Sequence, residues 1–483
     1  MTPDRMIALS AREAVRAMRN GAFTALAYSD ALLARCAEGA ELNAFITLDP
    51  EAVRAQARAA DARRVAGELL GPLHGLPVPV KDSINTADLP TTAGTAALRN
   101  FRPGSDAPVV ARLREAGAII LGKTNLHELS LGWTSSNMAF GPVRNPWDRT
   151  RIPGGSSGGT AAAVAFGMAP LGLAEDTQGS IRVPAALCGI AGFRPTTGRY
   201  PNLGCAPISE LFDQVGPHAR NVDDLALFDS AMTGDYSELV VPQLERIRLG
   251  IAPEFYFAGL DPAVAAVVES ALERLVEAGV TIVRADIPEL GSLVDAITLP
   301  VQVHDVVPSL RAWLSSSGAA IDFDEMLVEV SPDVKALLTA FALPGAPHEI
   351  PDDYYVKARD VQLPTFRALL AHWFAEHQVD GMLLPATMVT ATPIGANQNV
   401  RINGVEVAFA TAVGRNIATG STAGLPGLVL PAGLTDGMPV GIELDGPAGS
   451  DRKLLGIGMA LEAVLGPLGT PGSVRPNAPI VRS

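Results

Sequence analysis

Two serines in a glycine cluster, Ser156 and Ser157, are the first residues of this sequence whose types and spacing could do chemistry. The segment 153–159 reads PGGSSGG, with four glycines and two serines in the six positions 154–159. Glycine loses more backbone freedom on folding than any other residue, so such a cluster in an ordered protein needs a reason. Three reasons are open: the loop binds a phosphate, presents a nucleophile, or makes a tight turn.

A phosphate-binding motif occurs elsewhere, but in the wrong context. Residues 117–124, GAIILGKT, fit the pattern GxxxxGK[ST] letter for letter. A working loop of this kind needs a strand before its first glycine and an open, amide-lined turn between the two glycines. Here the intervening AIIL consists of strand formers, and the preceding APVVARLREA is helix-like. The motif therefore gives little support to nucleotide binding.

A nucleophile elbow is the second possibility, because residues 154–158 fit GxSxG. An elbow of the α/β-hydrolase type requires a buried apolar strand just upstream, and an acid and a histidine later in the chain. The upstream NPWDRTRIP is polar, and none of the later histidines is singled out by its position: His218, His304, His348, His372 and His377. The elbow stays open as a weak hypothesis.

The third possibility is that a second serine, Ser180, shares the work. It lies in DTQGSIR, after the strand-like APLGLA and before the helix-compatible VPAALCGIAG. A serine on a sharp turn between strand and helix is exposed and has backbone N–H groups directed at it. Such a serine needs a base to remove its proton.

Lys81 is a candidate base at the end of the strand-like LPVPV. The prolines of this strand cannot donate ladder hydrogen bonds, so they predict a position at the edge or the end of a sheet. A lysine surrounded by Leu76, Val78 and Val80 could be desolvated enough to lose its proton near neutral pH. A neutral lysine is a competent base.

Three blocks of the chain resemble the hallmarks of the amidase signature family: GLPVPVKDSI, PGGSSGGTAAAVA and DTQGSIRVPAALCGIAGFRPTTG. The resemblance continues to GLPGLVLPAG and GMPVGIELDGP near the C-terminus. It implies a Ser-cisSer-Lys triad with Ser180 as nucleophile, Ser156 as the serine after a cis peptide, and Lys81 as base. It also implies an oxyanion hole built from the amides of Thr177, Gln178, Gly179 and Ser180, and it implies no metal and no organic cofactor.

The resemblance assigns supporting roles as well. Ser157 would support Lys81 or the turn, Asp176 and Arg182 would fix the nucleophile turn, and Asp82 would help to position Lys81. Lys123, Thr124 and Asn125 would belong to a family block beside the site. The substrate channel would be lined by Gly132, Trp133, Thr134 and Gln178.

Gln178 departs from the family pattern, which has a glycine at this position of the DTGGS block. If the position requires a positive φ, Gln178 bears strain, because a residue with a Cβ rarely adopts that conformation. Its side-chain amide would then point into the pocket.

The rest of the chain predicts an α/β fold. With 483 residues, 48% of them hydrophobic and 18% charged, the chain can bury a sizeable core. Short apolar strands alternate with helices, which favours a large mixed, twisted β-sheet with helices on both faces. We predict a single domain over 1–483, with a helical wrap at 1–70 that includes a Ser10–Glu13 capping box. An irregular, mostly helical insertion at 288–400 is expected near the substrate entrance.

Charge and composition restrict the partners. A formal net charge of −14 argues against nucleic acid or an anionic membrane. Three widely spaced cysteines suit a reducing compartment, and no run reaches the roughly 18–20 apolar residues that a membrane span needs. We expect a cytoplasmic protein that acts on a small molecule, and a homodimer is a candidate assembly.

The substrate class stays open among three alternatives. The segment VPAALCGIAGFRPTTGRYP is most similar to family members that act on arylacetamides, the indoleacetamide and mandelamide hydrolases. The resemblance therefore implies hydrolysis of the C–N bond of a small, apolar or aryl amide. Carbamate (urethane), anilide or urea cleavage with the same triad is one alternative, and the A subunit of a tRNA-dependent amidotransferase is another.

Overall fold

Helices dominate the N-terminal part of the chain. The computed structural model describes residues 1–396 and 398–471. The predicted capping box is present, since the Ser10 hydroxyl accepts from the Glu13 amide and the Glu13 carboxylate accepts from the Ser10 amide. In the described residues the α-helices are α1 (Pro3–Ile7), α2 (Ala11–Arg19), α3 (Ala25–Glu38), α4 (Pro50–Val65), α5 (Pro108–Glu115), α6 (Gly158–Phe166), α7 (Arg182–Cys188), α8 (Val222–Thr233), α9 (Pro253–Tyr256), α10 (Pro262–Glu277), α11 (Leu290–Ser316), α12 (Phe323–Glu329), α13 (Pro332–Phe341), α14 (Asp352–Lys357), α15 (Leu363–His377), α16 (Phe409–Ala423) and α17 (Asp451–Leu465).

Strands occur along the chain between these helices, and the apolar runs LPVPV, AIIL and APLGLA all become strands. In the described part of the chain they are β1 (Phe45–Thr47), β2 (Pro77–Lys81), β3 (Ile119–Thr124), β4 (Ser136–Asn137), β5 (Gly141–Pro142), β6 (Leu171–Asp176), β7 (Ala191–Arg194), β8 (Gln214–Ala219), β9 (Arg248–Ile251), β10 (Thr281–Arg284), β11 (Gly381–Pro385), β12 (Asn399–Ile402), β13 (Val405–Ala408), β14 (Gly427–Thr435) and β15 (Met438–Asp445).

One mixed sheet organises the fold. In the described residues it has eleven strands in the order β1-β3-β2-β6-β8-β7-β14-β15-β11-β9-β10. The pairs β2–β3 and β2–β6 are parallel, whereas β6–β8 and β14–β15 are antiparallel. Helix α6 packs on β2 and β6, and α7 packs on β7, β14 and β15. The predicted α/β fold with a large mixed sheet is confirmed.

The strand that carries Lys81 lies inside the sheet, so the predicted edge position is wrong. β2 has β3 on one side and β6 on the other. Its pairing with β6 is limited to Val80 and Leu173, and its register with β3 shifts between Val78 and Pro79. Sparse pairing on one side and an irregular register on the other accommodate prolines that cannot donate ladder hydrogen bonds.

One strand near the turn that carries Ser180 escapes the sequence pattern. The helix-compatible run 183–192 is helical only to Cys188, because Gly189 takes a left-handed φ of 68° and ends α7. The chain then enters β7, which pairs with β8 and β14. The helix of Ser180's block therefore ends a turn earlier than its composition indicates.

The segment 288–400 contains a long helix and several short ones. Helix α11 contains Pro300 and Pro308, and together with α12 and α13 it forms what we call the cover helices, residues 290–341. Their buried Trp313 and Phe323 pack in one apolar cluster with Leu129 and Ile208. The cover helices thus lie over the loops that carry Leu129 and Ile208. Among the described residues, no helix has the length and apolar character needed to cross a bilayer.

Candidate active site

Lys81 occupies the end of β2 and is completely buried. Its Nζ lies 2.6 Å from Ser156 Oγ and 2.6 Å from Glu175 Oε1. Burial lowers the pKa of Lys81, although the Glu175 carboxylate opposes that shift. The structure therefore brings the predicted base and the first predicted serine into direct contact, in an environment that disfavours a charged amine.

The glycine-serine loop that carries Ser156 is fixed by its neighbours. The Gly155–Ser156 peptide bond is cis, as the family resemblance predicts. The Ser156 carbonyl accepts from the His127 amide at 3.1 Å and from the Ser135 hydroxyl at 3.1 Å. A Cβ at Gly155 would lie 2.7 Å from the carbonyl carbon of Trp133, so only glycine fits where the two loops pass.

Asp176 and Arg182 hold the turn that carries Ser180, residues 176–182. We call it the nucleophile turn after the role predicted for Ser180. Asp176 accepts from the Gly179 amide at 2.6 Å and from the Ile181 amide at 3.0 Å, and it pairs with Arg182 Nε at 3.0 Å. Burial alone would raise the pKa of Asp176, but Arg182 and Arg194 outweigh burial and lower it to about 2. A fixed carboxylate thus lies behind the turn that presents Ser180.

The same contacts correct the predicted oxyanion hole at one position. The Gly179 amide is directed to the Asp176 carboxylate, so it is engaged in holding the turn. Gly179 takes a φ of 96°, which glycine tolerates best. The amides of Thr177, Gln178 and Ser180 remain the candidate donors to an oxyanion.

Gln178 carries no left-handed strain, because the positive φ of this turn falls on Gly179. The premise that Gln178 needs a positive φ is therefore wrong. Its carbonyl accepts from the Trp133 indole Nε1 at 2.9 Å. Trp133 thereby fixes the backbone of the nucleophile turn in addition to lining the adjacent cavity.

Ser157 connects the serine loop to the nucleophile turn. Its amide donates to the Ser180 carbonyl at 3.2 Å, and its hydroxyl donates to the Glu175 carbonyl at 3.0 Å. Of the two roles predicted for Ser157, these contacts place it on the turn. The two serine-bearing segments are thereby held against each other.

Asp82 turns away from Lys81, because consecutive strand residues point to opposite faces of a sheet. Its Oδ1 lies 3.2 Å from Lys123 Nζ, and its Oδ2 accepts from the Thr92 amide at 2.9 Å. Lys123 also donates to Thr91 Oγ1 at 2.7 Å. The carboxylate of Asp82 is thus committed to a second buried lysine, and its predicted help to Lys81 has no direct side-chain contact to support it.

The phosphate-loop hypothesis also fails on this geometry. Lys123 and Thr124 lie inside β3, where a phosphate loop would need an open turn. Asn125 follows the strand and donates to the carbonyls of Asn43 and Gly141. The Asn125 carbonyl accepts from the Gly159 amide at 3.0 Å, so the block 123–125 lies against the glycine-serine loop.

A histidine-dependent elbow has no support either. Loop residues 143–157 stand where the elbow would need a buried strand. His218 is buried, and its Nε2 lies 2.7 Å from the Ile181 carbonyl. Burial lowers the pKa of His218 to about 4, so the neutral ring donates this bond and steadies the residue after Ser180.

Glu175 is the site residue that sequence reasoning missed. It is buried at the end of β6, directly before Asp176. The available signal was a second acidic residue in a strand that is otherwise apolar. Its partner lies 94 positions earlier in the chain, so only the folded sheet brings the two together.

A cavity of about 610 Å³ opens beside Ser180. Three of the four residues predicted to line a substrate channel line this cavity, namely Gly132, Trp133 and Gln178. Thr177 also lines it. Thr134, the fourth, is buried, and its Oγ1 lies 3.2 Å from His127 Nδ1. Apolar side chains form much of the remaining wall, among them Ile208, Phe255, Val294, Val303, Val306 and Phe341.

Comparison with known proteins decides the family. The amidase family model matches residues 29–455. The chain belongs to the amidase family. It is therefore a hydrolase that acts on carbon–nitrogen bonds.

Two relatives and one solved structure show how far this likeness extends. The chain is 38% identical to an indoleacetamide hydrolase of Agrobacterium vitis, over 94% of this chain and 97% of that protein. It is 38% identical to a mandelamide hydrolase of Pseudomonas putida, over 97% of this chain and 94% of that one. A crystal structure of an amidase superposes with a TM-score of 0.85 at 33% identity, over 95% of this chain and 100% of that one. The amidase hydrolases thus match this chain along nearly its whole length.

Proposed function

We propose that this amidase hydrolyses small apolar or aryl amides through an acyl-enzyme on Ser180. The observation that carries the proposal is the 2.6 Å contact between Lys81 Nζ and Ser156 Oγ, in a fully buried setting that lowers the pKa of the lysine. Ser157 ties this pair to the Ser180 turn at the wall of the apolar cavity. These contacts support a base, a relay hydroxyl and a nucleophile that work without a histidine.

In the acylation step, neutral Lys81 takes a proton from Ser156, and Ser156 takes one from Ser180. Ser180 Oγ forms a bond to the carbonyl carbon while the carbonyl π electrons move to its oxygen. Amide N–H groups of Thr177, Gln178 and Ser180 stabilise that oxyanion, and the loss of one such donor typically reduces the rate by about 10²–10³-fold. Lys81 then returns its proton through Ser156 to the departing nitrogen as the C–N bond breaks.

In the deacylation step, water replaces the amine. The same lysine and serine remove a proton from water as its oxygen attacks the acyl carbon, and Ser180 leaves with that proton. Carboxylic acid is released, and the site returns to its starting protonation state. Each proton moves along the same short path in both steps, because the same lysine and serine act first as base and then as acid.

The cavity supports an apolar or aryl acyl group. Trp133 and Phe255 contribute aromatic surface, and valines of α11 contribute aliphatic surface. Apolar pocket walls of this kind favour ligands that remove apolar area from water, with a few polar groups to orient them. Indoleacetamide and mandelamide, named for two relatives at 38% identity, combine an aryl group with a primary amide.

Replacement of the nucleophile tests the proposal. We expect Ser180→Ala to reduce kcat by at least about 10⁴-fold on any hydrolysed amide, because the acyl-enzyme cannot form. Intact mass spectrometry of the wild type with a slow aryl ester or anilide should show a covalent acyl adduct, and peptide mapping should place it on Ser180. Retained hydrolysis by Ser180→Ala, or an adduct on another residue, would refute the assignment.

Substrate panels separate the alternatives that use the same triad. A primary arylacetamide, a chromogenic anilide and an aryl carbamate, assayed at equal concentration, rank amide against carbamate cleavage. Glutaminase activity and co-purification with a second protein would indicate an amidotransferase A subunit.

A further inference from the structure

Glu175 is a buried carboxylate that the triad mechanism does not use. Three donors from two segments of the chain meet its Oε1: Lys81 Nζ at 2.6 Å, Ser83 Oγ at 3.3 Å and Ser130 Oγ at 2.6 Å. Both Lys81 and Glu175 are almost completely excluded from solvent. A carboxylate oxygen that accepts from this many donors is held in place by them.

The geometry at Lys81 gives this contact a chemical consequence. A neutral amine has two N–H donors and one lone pair, and as a base it must direct that lone pair at the Ser156 hydroxyl. Donation of one N–H to Glu175 restricts rotation of the amine while its lone pair faces Ser156. After proton uptake, the ammonium pairs with the carboxylate at 2.6 Å in a site from which water is excluded. In a serine–histidine–aspartate triad, the aspartate orients and stabilises the base in the same way.

We propose that Glu175 is a positioning residue that orients the Lys81 amine toward Ser156 and stabilises the ammonium formed during acylation. The inference rests on the proposed function, because it assigns a role within the same relay. No step of the relay transfers a proton to Glu175. The relay then consists of Ser180, Ser156 and Lys81, with Glu175 as a fixed anion behind the base.

Other titratable groups surround the pair on several elements. On β6, Asp176 is ionised beside Arg182, with its pKa lowered to about 2. On β8, His218 is neutral, with its pKa lowered by burial to about 4. Asp213, on the loop before β8, has its pKa raised to about 7 by burial and by the Glu175 charge, and burial raises the pKa of Cys205. On the neighbouring strand, Lys123 faces Asp82.

The test is the pH profile of Glu175→Gln in the full chain. Glutamine keeps the size and an acceptor oxygen, so the contacts with Lys81 and Ser130 can persist without the charge. Removal of a nearby anion lowers the pKa of Lys81, by about 1–3 units for a partner at this range. Because the base works as the neutral amine, the acid limb of kcat/KM should move to lower pH by about that amount. Maximal kcat should fall by about 10²-fold, since orientation and ammonium stabilisation are lost.

A matched control is Glu128→Gln, which removes another buried glutamate of the same region. Glu128 accepts from the Ser331 amide at 2.9 Å and holds a cover-helix residue. Its substitution should leave the acid limb in place. A second control, Asp213→Asn, should retain an acid limb, because the inference assigns that limb to Lys81 and not to Asp213. Loss of the limb in Asp213→Asn would overturn the assignment.

The outcomes separate this inference from the proposed function. An acid limb in Glu175→Gln that stays at the wild-type pH overturns the role of Glu175, whether or not kcat falls. Thermal unfolding of each variant shows that the comparison is made between folded proteins. If the wild type forms no acyl adduct on Ser180, the proposed function fails first. If the adduct forms and only the limb prediction fails, the triad stands and the role of Glu175 does not.

Discussion

Two buried lysines on neighbouring strands illustrate how one chemical motif can serve different purposes. Lys81 ends β2 and Lys123 lies in β3, and both are completely buried. Val80 pairs with Lys123 in the parallel register and Lys81 pairs with Thr124, so the two lysine side chains point to opposite faces of the sheet. Each faces a buried carboxylate, Glu175 for Lys81 and Asp82 for Lys123.

Their remaining partners make the difference. Lys123 donates to the Pro90 carbonyl and to the Thr91 hydroxyl of the same loop. Neither partner belongs to the proposed triad. Lys81 instead contacts Ser156, whose loop is bonded to the Ser180 turn. Burial lowers the pKa of both lysines. A lowered pKa alone therefore does not identify a base. The contact with Ser156 is what distinguishes Lys81 as the proposed base.

The largest expected effect follows from removal of the lysine that contacts Ser156. Lys81→Met keeps a linear apolar side chain but removes the base, so kcat should fall by at least about 10⁴-fold. Weak residual activity should rise with pH, as hydroxide replaces the missing base. Steady-state kinetics across pH on a protein with a normal unfolding transition measures this loss. If Lys81→Met kept the wild-type kcat, Lys81 would not be the base, and the two lysines would not differ in function.

The second expected effect is on stability, at the other lysine. Lys123→Met leaves the buried Asp82 carboxylate without its cation, and breaking a buried ion pair in this way destabilises by about 3–5 kcal/mol. The kcat per folded molecule, measured after active-site titration, should stay close to that of the wild type. Urea unfolding gives the change in the free energy of unfolding.

A double variant is the control for that stability effect. Asp82→Asn combined with Lys123→Met removes the uncompensated charge, so it should be destabilised less than Lys123→Met alone. Equal or greater destabilisation would show that the ion pair is not what Lys123 contributes. A loss of kcat like that of Lys81→Met would show that the two pairs are not functionally distinct.

Local sequence pattern predicted much of the sheet, and the family resemblance supplied the triad hypothesis, because both depend on short blocks. Lys81, Ser156 and Ser180 each lie at the centre of a recognisable segment, and Lys81 Nζ and Ser156 Oγ meet as expected. The runs that became β2, β3 and β6 are apolar enough to be identified as strands. Their order in the sheet, however, depends on long-range pairing. The prolines of β2 wrongly indicated an edge strand, because the irregular pairing that accommodates them arises only in the folded sheet.

The features that the sequence could not predict are contacts between distant segments. Glu175 meets Lys81 only after β6 is placed next to β2, and Asp82 meets Lys123 because side chains alternate across the sheet. The hydrogen bond from the Gly179 amide to Asp176 depends on the backbone conformation of a single turn. Strand β7 was hidden because it is only four residues long and follows directly on a helix that ends at Gly189.

The smallest expected effect lies on the cavity side of the nucleophile turn, away from both lysine pairs. Gln178 lines the cavity and is half-buried, and its backbone needs no left-handed φ. We expect Gln178→Gly to retain activity and to change the relative kcat/KM among several amides, because the change removes a side chain from the wall without touching Lys81 or Lys123. The acid limb and the unfolding free energy should both stay near the wild-type values. Unchanged relative rates across the amides would show that the Gln178 side chain does not contact substrate, and a shifted acid limb would show that the cavity wall and the base are not independent.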